Sequence, residues 1–80
     1  MRKELEVVAG YDDGELFFLQ GWNLATGCPL WTSDIDEAKR MTATSAQWAL
    51  YAIQKEGAPD MEGLHCMTVA QAAKEVRMYA

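Results

Sequence analysis

The sequence has no positive charge over nearly half its length, because no Lys or Arg occurs between residues 4 and 38. That stretch carries eight carboxylates: Glu4, Glu6, Asp12, Asp13, Glu15, Asp34, Asp36 and Glu37. The formal net charge of the whole chain is −5. Affinity for a nucleic-acid duplex comes largely from neutralising phosphates with Lys and Arg. The charge balance therefore argues against direct nucleic-acid binding and favours a partner protein with a basic surface.

Metal ligands and disulfide partners are also scarce, with two cysteines (Cys28 and Cys66) and one histidine (His65). A structural zinc site normally uses four such ligands, so no metal is expected. A single pair of cysteines is not a disulfide framework, and no apolar run is long enough to be secretory or membrane-spanning. We therefore expect reduced, buried thiols in a cytoplasmic protein with no membrane partner.

Catalytic and cofactor signatures are missing as well. No phosphate-binding loop or dinucleotide fingerprint occurs. His65 and Cys66 are adjacent, so on a strand their side chains point to opposite faces and His65 is badly placed to deprotonate Cys66. A meeting of Cys28 with His65 through the fold stays open. The sequence predicts no enzyme and no cofactor, with a small Cys-dependent enzyme as an alternative.

What is present begins with a β-hairpin. Residues 4–11 alternate with the period of a half-buried strand, and residues 15–22 form a second strand with apolar groups on both faces. Asp12, Asp13 and Gly14 supply the turn, since Gly adopts positive φ freely and Asp tolerates it. One face of the second strand is expected to pack on helices, and the other to form a contact surface or an oligomer interface.

A third strand is predicted over residues 28–32, after a turn over residues 23–27. Pro29 cannot donate to a strand ladder, so this strand should lie at a sheet edge. Trp22 and Trp31, which flank this region, are expected in the core or at its rim.

Helices follow the strands. A short helix is predicted over residues 34–40, with acidic residues at its start and basic residues at its end. A longer helix over residues 45–56 has Thr44 as its expected cap and Gly57 as its stop. Residues 64–67 read as a short strand. Thr68 and Gln71 then form a capping box that opens a last helix. Strands followed by helices predict one α+β domain over residues 1–80.

The longer helix carries an aromatic pair away from its expected core face. Ala46, Ala49 and Ile53 recur at helical spacing, whereas Trp48 and Tyr51 lie on the other side. A Trp in that position is either covered by another element or presented to a partner. Trp and Tyr are frequent interface anchors because they bury a large area at small entropic cost.

The clustered carboxylates have a local explanation that competes with a catalytic one. Paired carboxylates could bind magnesium or serve a glycosidase. However, Asp34, Asp36 and Glu37 fall where a helix start favours acidic side chains, and Asp12-Asp13 falls in a turn. We therefore expect these groups, with Glu15, to be contact charges rather than catalysts.

The segment 21–41, which reads GWNLATGCPLWTSDIDEAKRM, gives the chain a layout that resembles small acidic proteins of bacteriophages and mobile elements, of the anti-CRISPR type. The resemblance implies a non-enzymatic inhibitor that occupies a basic nucleic-acid groove of a CRISPR effector complex and blocks nucleic acid or nuclease recruitment.

The resulting hypothesis is an inhibitor or adaptor, monomeric or homodimeric, that docks an acidic surface on a basic nucleic-acid-binding complex. The predicted contact residues are Asp12, Asp13, Glu15, Asp34, Asp36, Glu37, Trp48 and Tyr51. An antitoxin or immunity protein for a basic nuclease follows the same charge logic. A homo-oligomeric structural protein of a phage particle is a further alternative.

Overall fold

A computed structural model of the protein describes residues 4–56 and 61–79. Within them the chain forms a four-stranded antiparallel sheet, two α-helices and one 3-10 turn. The strands are β1 (Glu6–Asp12), β2 (Glu15–Trp22), β3 (Pro29–Thr32) and β4 (Glu62–Thr68); the helices are α1 (Ala43–Glu56) and α2 (Val69–Tyr79); the 3-10 turn is Ile35–Glu37. The strand order in the sheet is β3-β2-β1-β4. The predicted α+β class is confirmed.

The hairpin of β1 and β2 closes through a two-residue loop. Asp13 and Gly14 have φ of 53° and 81°, the positive values that a type I′ turn requires at both central positions. Asp12 and Glu15 are the last cross-strand pair before the loop. The predicted turn is confirmed, and its two-residue length fixes the register of the whole hairpin.

β1 is a central strand buried on both faces, so the prediction of a half-buried strand is wrong. Val7 belongs to one hydrophobic cluster and its neighbour Val8 to another, because successive side chains on a strand point to opposite faces. The same division splits β2, with Phe18 in the first cluster and Leu19 in the second. Neither face of β2 is left as an open contact surface, contrary to the expectation.

The two helices cover opposite faces of the sheet. Ala72 of α2 and Ala38, just after the 3-10 turn, pack with Val7 in the first core. Ala46 and Ile53 of α1 pack with Val8 in the second core. Trp22 and Trp31 lie at the rim of this second core, as predicted. The sheet is therefore the middle layer of three, and whatever lies on α1 is separated by the sheet from whatever lies beside α2.

β4 completes the sheet from a distant part of the chain. The predicted strand over residues 64–67 is confirmed and extends to Glu62–Thr68, paired antiparallel with β1. The strands pack closely at Gly10, which has no side chain: an added Cβ would lie 2.8 Å from Cδ2 of Leu64 and 3.0 Å from Cε of Met61. β3, which begins at Pro29, lies at the opposite edge of the sheet as predicted.

The predicted helix over residues 34–40 is replaced by the 3-10 turn. Its backbone bonds run from the Glu37 amide to the Asp34 carbonyl (3.0 Å) and from the Ala38 amide to the Ile35 carbonyl (3.2 Å). The next amide, that of Lys39, donates instead to the Leu19 carbonyl at 2.8 Å. The chain is thus captured by the sheet before a full helical turn can propagate.

The N-terminal cap of α2 is the one that the sequence predicted, whereas that of α1 differs from the prediction. The Ser45 amide donates to the Thr42 hydroxyl at 3.3 Å, so α1 begins two residues earlier than predicted and Thr42, not Thr44, is its cap. The capping box of α2 is confirmed by reciprocal bonds between Thr68 and Gln71. The predicted helix stop at Gly57 lies outside the described residues.

Candidate binding surfaces

The hairpin end of the sheet gathers carboxylates from three strands. Asp12, Asp13 and Glu15 are exposed at the turn, where the sequence predicted them as contact residues. Glu62 is also exposed and pairs with Tyr11 at the start of β4, one residue along β1 from Asp12. We call Asp12, Asp13, Glu15 and Glu62 the acidic end. In the part of the chain that the structure describes, no ion pair neutralises these four side chains.

Glu62 was missed by sequence reasoning. It lies almost fifty residues after the hairpin turn, and only the pairing of β4 with β1 brings it there. No local sequence pattern around Glu62 predicts that pairing, because the register between distant strands is set by the packing of the completed sheet.

Two carboxylates of the acidic end face each other directly. Asp12 and Glu15 are partners in the hairpin register, which places their Cβ atoms about 5 Å apart. Like charges directly opposite each other on antiparallel strands destabilise the pair. The turn itself needs only Asp13 and Gly14, so the local conformation does not call for acid at positions 12 and 15.

A second group of carboxylates lies on the 3-10 turn, and we call Asp34, Asp36 and Glu37 the acidic turn. All three are exposed. The Asp34 side chain has a structural role, since its Oδ1 accepts from the Asp36 amide at 2.9 Å. Glu37 Oε2 accepts a long bond of 3.5 Å from Gln20. Gln20 lies five residues along β2 from Glu15, about 17 Å at strand spacing, so the structure does not merge this group with the acidic end.

Trp48 and Tyr51 are exposed on α1, at 70% and 57% of their surface. Their rings form an edge-to-face pair with centroids 6.3 Å apart and planes at 90°. Within residues 4–56 and 61–79 no other element covers Trp48, which answers the question that the sequence left open. Together with Thr44 and Gln47 they line a shallow, open depression on the outer side of α1. The acidic turn packs on the opposite face of the sheet, so these two groups of predicted contact residues do not share one surface.

His65 and Cys66 lie on opposite faces of β4. His65 stacks on Tyr11 with ring centroids 6.2 Å apart, and its Nδ1–H donates to the Gly63 carbonyl at 2.6 Å. Cys66 packs on the other face of the sheet, as strand geometry predicted. Burial, followed by the negative charge of Glu6, raises the pKa of the Cys66 thiol. A raised pKa lowers the fraction of thiolate, the reactive form.

Cys28 cannot form the alternative pair with His65. Cys28 directly precedes β3, whereas His65 lies in β4, and these strands are the two opposite edges of the sheet. Three strand spacings separate them, about 14 Å. Both cysteines are free; Cys28 is exposed and Cys66 is partly buried, so the expectation of two buried thiols is wrong.

The described residues offer neither a metal site nor a membrane-spanning helix. Residues 4–56 and 61–79 contain no group of three or more His, Cys, Asp or Glu side chains placed to hold a metal ion. Neither of the α-helices described here is long and apolar enough to cross a membrane.

The fold and its surfaces define a small α+β domain with a sheet between two helices, a carboxylate cluster at one end of the sheet and an exposed aromatic pair on one helix. Comparison with known proteins adds no relative to this description: no family model, no curated protein and no solved structure matches the chain.

Proposed function

We propose that this protein is a non-enzymatic binding protein that docks its acidic end onto a basic surface of a partner protein. The observation that carries the proposal is the directly opposed pair Asp12 and Glu15, held at the exposed end of the sheet together with Glu62. Directly opposed like charges on antiparallel strands are unfavourable in general, and neither side chain is needed by the turn. Folding does not explain why both positions are acidic, whereas binding to a cationic partner would.

The chemistry of such docking follows from the exposure of the carboxylates. An unneutralised cluster attracts a basic surface over roughly a Debye length, about 8 Å at physiological ionic strength, and this speeds encounter. The acidic turn, about 17 Å along β2, offers a second point of contact to a partner whose basic surface is extended. A nucleic-acid groove is such a surface, because it must neutralise a line of phosphates.

The partner in this proposal is a nucleic-acid-binding complex of the cytoplasm, with a CRISPR effector as the specific candidate. Occupying its groove would block nucleic acid or nuclease recruitment. A basic nuclease toxin offers the same kind of surface, and genomic neighbourhood separates the two: an immunity gene lies beside its toxin. The partly buried Cys66, with its raised thiol pKa, gives no support to a Cys-dependent enzyme.

The test is an affinity pull-down from host lysate with mass spectrometry, repeated at about 0.15 M and 0.5 M salt. We expect a nucleic-acid-binding complex to be recovered at the lower salt and lost at the higher. The double reversal Glu15→Lys and Glu62→Lys should abolish recovery with the fold intact by circular dichroism. The matched control Glu4→Lys and Glu75→Lys changes net charge equally, away from the acidic end, and should retain the partner. Equal loss in both variants would refute docking through the acidic end.

A further inference from the structure

The outer face of α1 carries two exposed aromatic rings and no carboxylate. Thr44, Trp48, Tyr51 and Lys55 follow one another at helical spacing, on the side of the helix opposite the buried Ala46 and Ile53. Trp48 and Tyr51 hold each other in an edge-to-face arrangement. An exposed aromatic pair of fixed geometry loses little side-chain freedom on binding, which favours an interface over a solvated surface.

The charge of this face favours a second copy of the chain as its binding partner. No carboxylate occurs between residues 38 and 55, and Lys55 is the one charged side chain on the face. The basic partner proposed for the acidic end has no opposite charge to bind on this face and would be repelled by Lys55. Two copies of a chain with net charge −5 repel each other overall, and this repulsion is weakest at a face that lacks acid.

Two copies of α1 match each other when they cross antiparallel about a two-fold axis between residues 49 and 50. Trp48 of each copy then lies opposite Tyr51 of the other, and Lys55 lies opposite Thr44. A parallel crossing would instead oppose Lys55 to Lys55 and align the two helix dipoles unfavourably. The antiparallel arrangement is isologous, as a two-fold interface must be.

We propose that this protein self-associates through the outer face of α1, as an antiparallel two-fold dimer centred on Trp48 and Tyr51. Their exposed fractions of 70% and 57% correspond to about 300 Å² of aromatic surface per copy. With Thr44, Gln47 and the Lys55 stem, two copies bury roughly 900 Å², below the standard size of a stable interface. An interface of this size is weak, so the dimer is expected to be concentration-dependent.

Sedimentation equilibrium over about 5 μM to 1 mM tests the proposal. We expect a monomer–dimer equilibrium that strengthens with added salt, because screening weakens the repulsion between two acidic chains. Docking of the acidic end on a basic partner has the opposite salt dependence, so the two proposals fail independently. A monomer throughout the concentration series, or a dimer that salt dissociates, overturns self-association through α1.

Substitutions localise the interface. Trp48→Ala and Tyr51→Lys should each weaken the dimer at least tenfold while the fold survives, since both side chains are exposed. Leu24→Ser is the matched control, because Leu24 is 98% exposed but lies in the loop between β2 and β3; it should leave the equilibrium unchanged. A dimer lost in Leu24→Ser but kept in Trp48→Ala would place the interface elsewhere and refute the proposal.

Cross-linking tests the orientation in a Cys28→Ser background, which removes the exposed native thiol. Chains carrying Thr44→Cys and chains carrying Lys55→Cys are mixed and oxidised gently. The antiparallel dimer predicts a mixed disulfide in preference to either self-linked product. Preferential self-linking of the Thr44→Cys chains would contradict the antiparallel arrangement.

Discussion

Replacing Glu15 by Lys should stabilise the fold and weaken partner binding at the same time. In the native hairpin Glu15 faces Asp12, and a Lys there converts a repulsive cross-strand pair into an attractive one. Such pairs contribute about 0.2–1 kcal/mol, so the free energy of unfolding should rise by about 0.5–1 kcal/mol. For a domain of this size that corresponds to an increase in Tm of about 3–6 °C.

Urea denaturation at about 20 mM and 0.5 M NaCl measures the effect, because salt screens an exposed pair. The gain should be largest at low salt and shrink at high salt, with an unchanged m-value. Glu15→Gln, which removes the repulsion without adding attraction, should show about half the gain. Glu4→Lys, two residues before β1 begins and far from the hairpin turn, controls for the change in net charge. A Glu15→Lys protein that is less stable than the native one at low salt would refute the opposed-charge argument, and with it the main support for the proposed function.

Three further predictions concern the cap, the core and the thiol. Thr42→Ala should cost about 1 kcal/mol in the free energy of unfolding because it removes the α1 cap, whereas Thr44→Ala should be nearly neutral; equal costs in chemical denaturation would contradict the cap assignment. Gly10→Ala should cost no more than about 1 kcal/mol because the new Cβ meets only the movable side-chain ends of Leu64 and Met61, and shortening Leu64 to Ala in the same chain should recover part of that loss as non-additivity in a double-mutant cycle. Because the pKa of Cys66 is raised by folding, the thiol loses its proton at a lower pH in the unfolded chain than in the folded protein. The protonated thiol therefore contributes to the free energy of unfolding in full below the unfolded pKa, and this contribution is lost as pH rises through the folded pKa. The free energy of unfolding should therefore fall less steeply between about pH 8 and 10 in Cys66→Ala, and parallel pH profiles would argue against the thiol as the cause.

Much of the local structure could be predicted from the sequence, because it depends on neighbouring residues. The Asp13-Gly14 turn and the capping box of Thr68 and Gln71 are short-range chemistry, and both are confirmed. The edge position of β3 follows from the missing amide proton of Pro29.

What could not be predicted depends on contacts between distant parts of the chain. Burial of both faces of β1 requires α1 and α2 to lie on opposite sides of the sheet, which alternation within residues 4–11 does not reveal. The short helix fails because the Lys39 amide is captured by β2. Among the candidate contact residues, the exposure of Trp48 and the position of Glu62 beside the hairpin also depend on tertiary structure, so local sequence patterns do not predict them. Their role in binding stays a prediction.

The central position of β1 has a consequence for synthesis of the protein. β1 pairs with β2 through a tight turn, but its other edge pairs with β4, which begins about fifty residues after β1 ends. As the chain leaves the ribosome, the hairpin can form early, while the second edge of β1 keeps its amides and carbonyls unpaired until β4 has emerged. During that interval β1 is an apolar strand with a free edge, a template for pairing between nascent chains. A chain truncated before residue 62 should therefore aggregate rather than accumulate as a soluble hairpin with α1 attached.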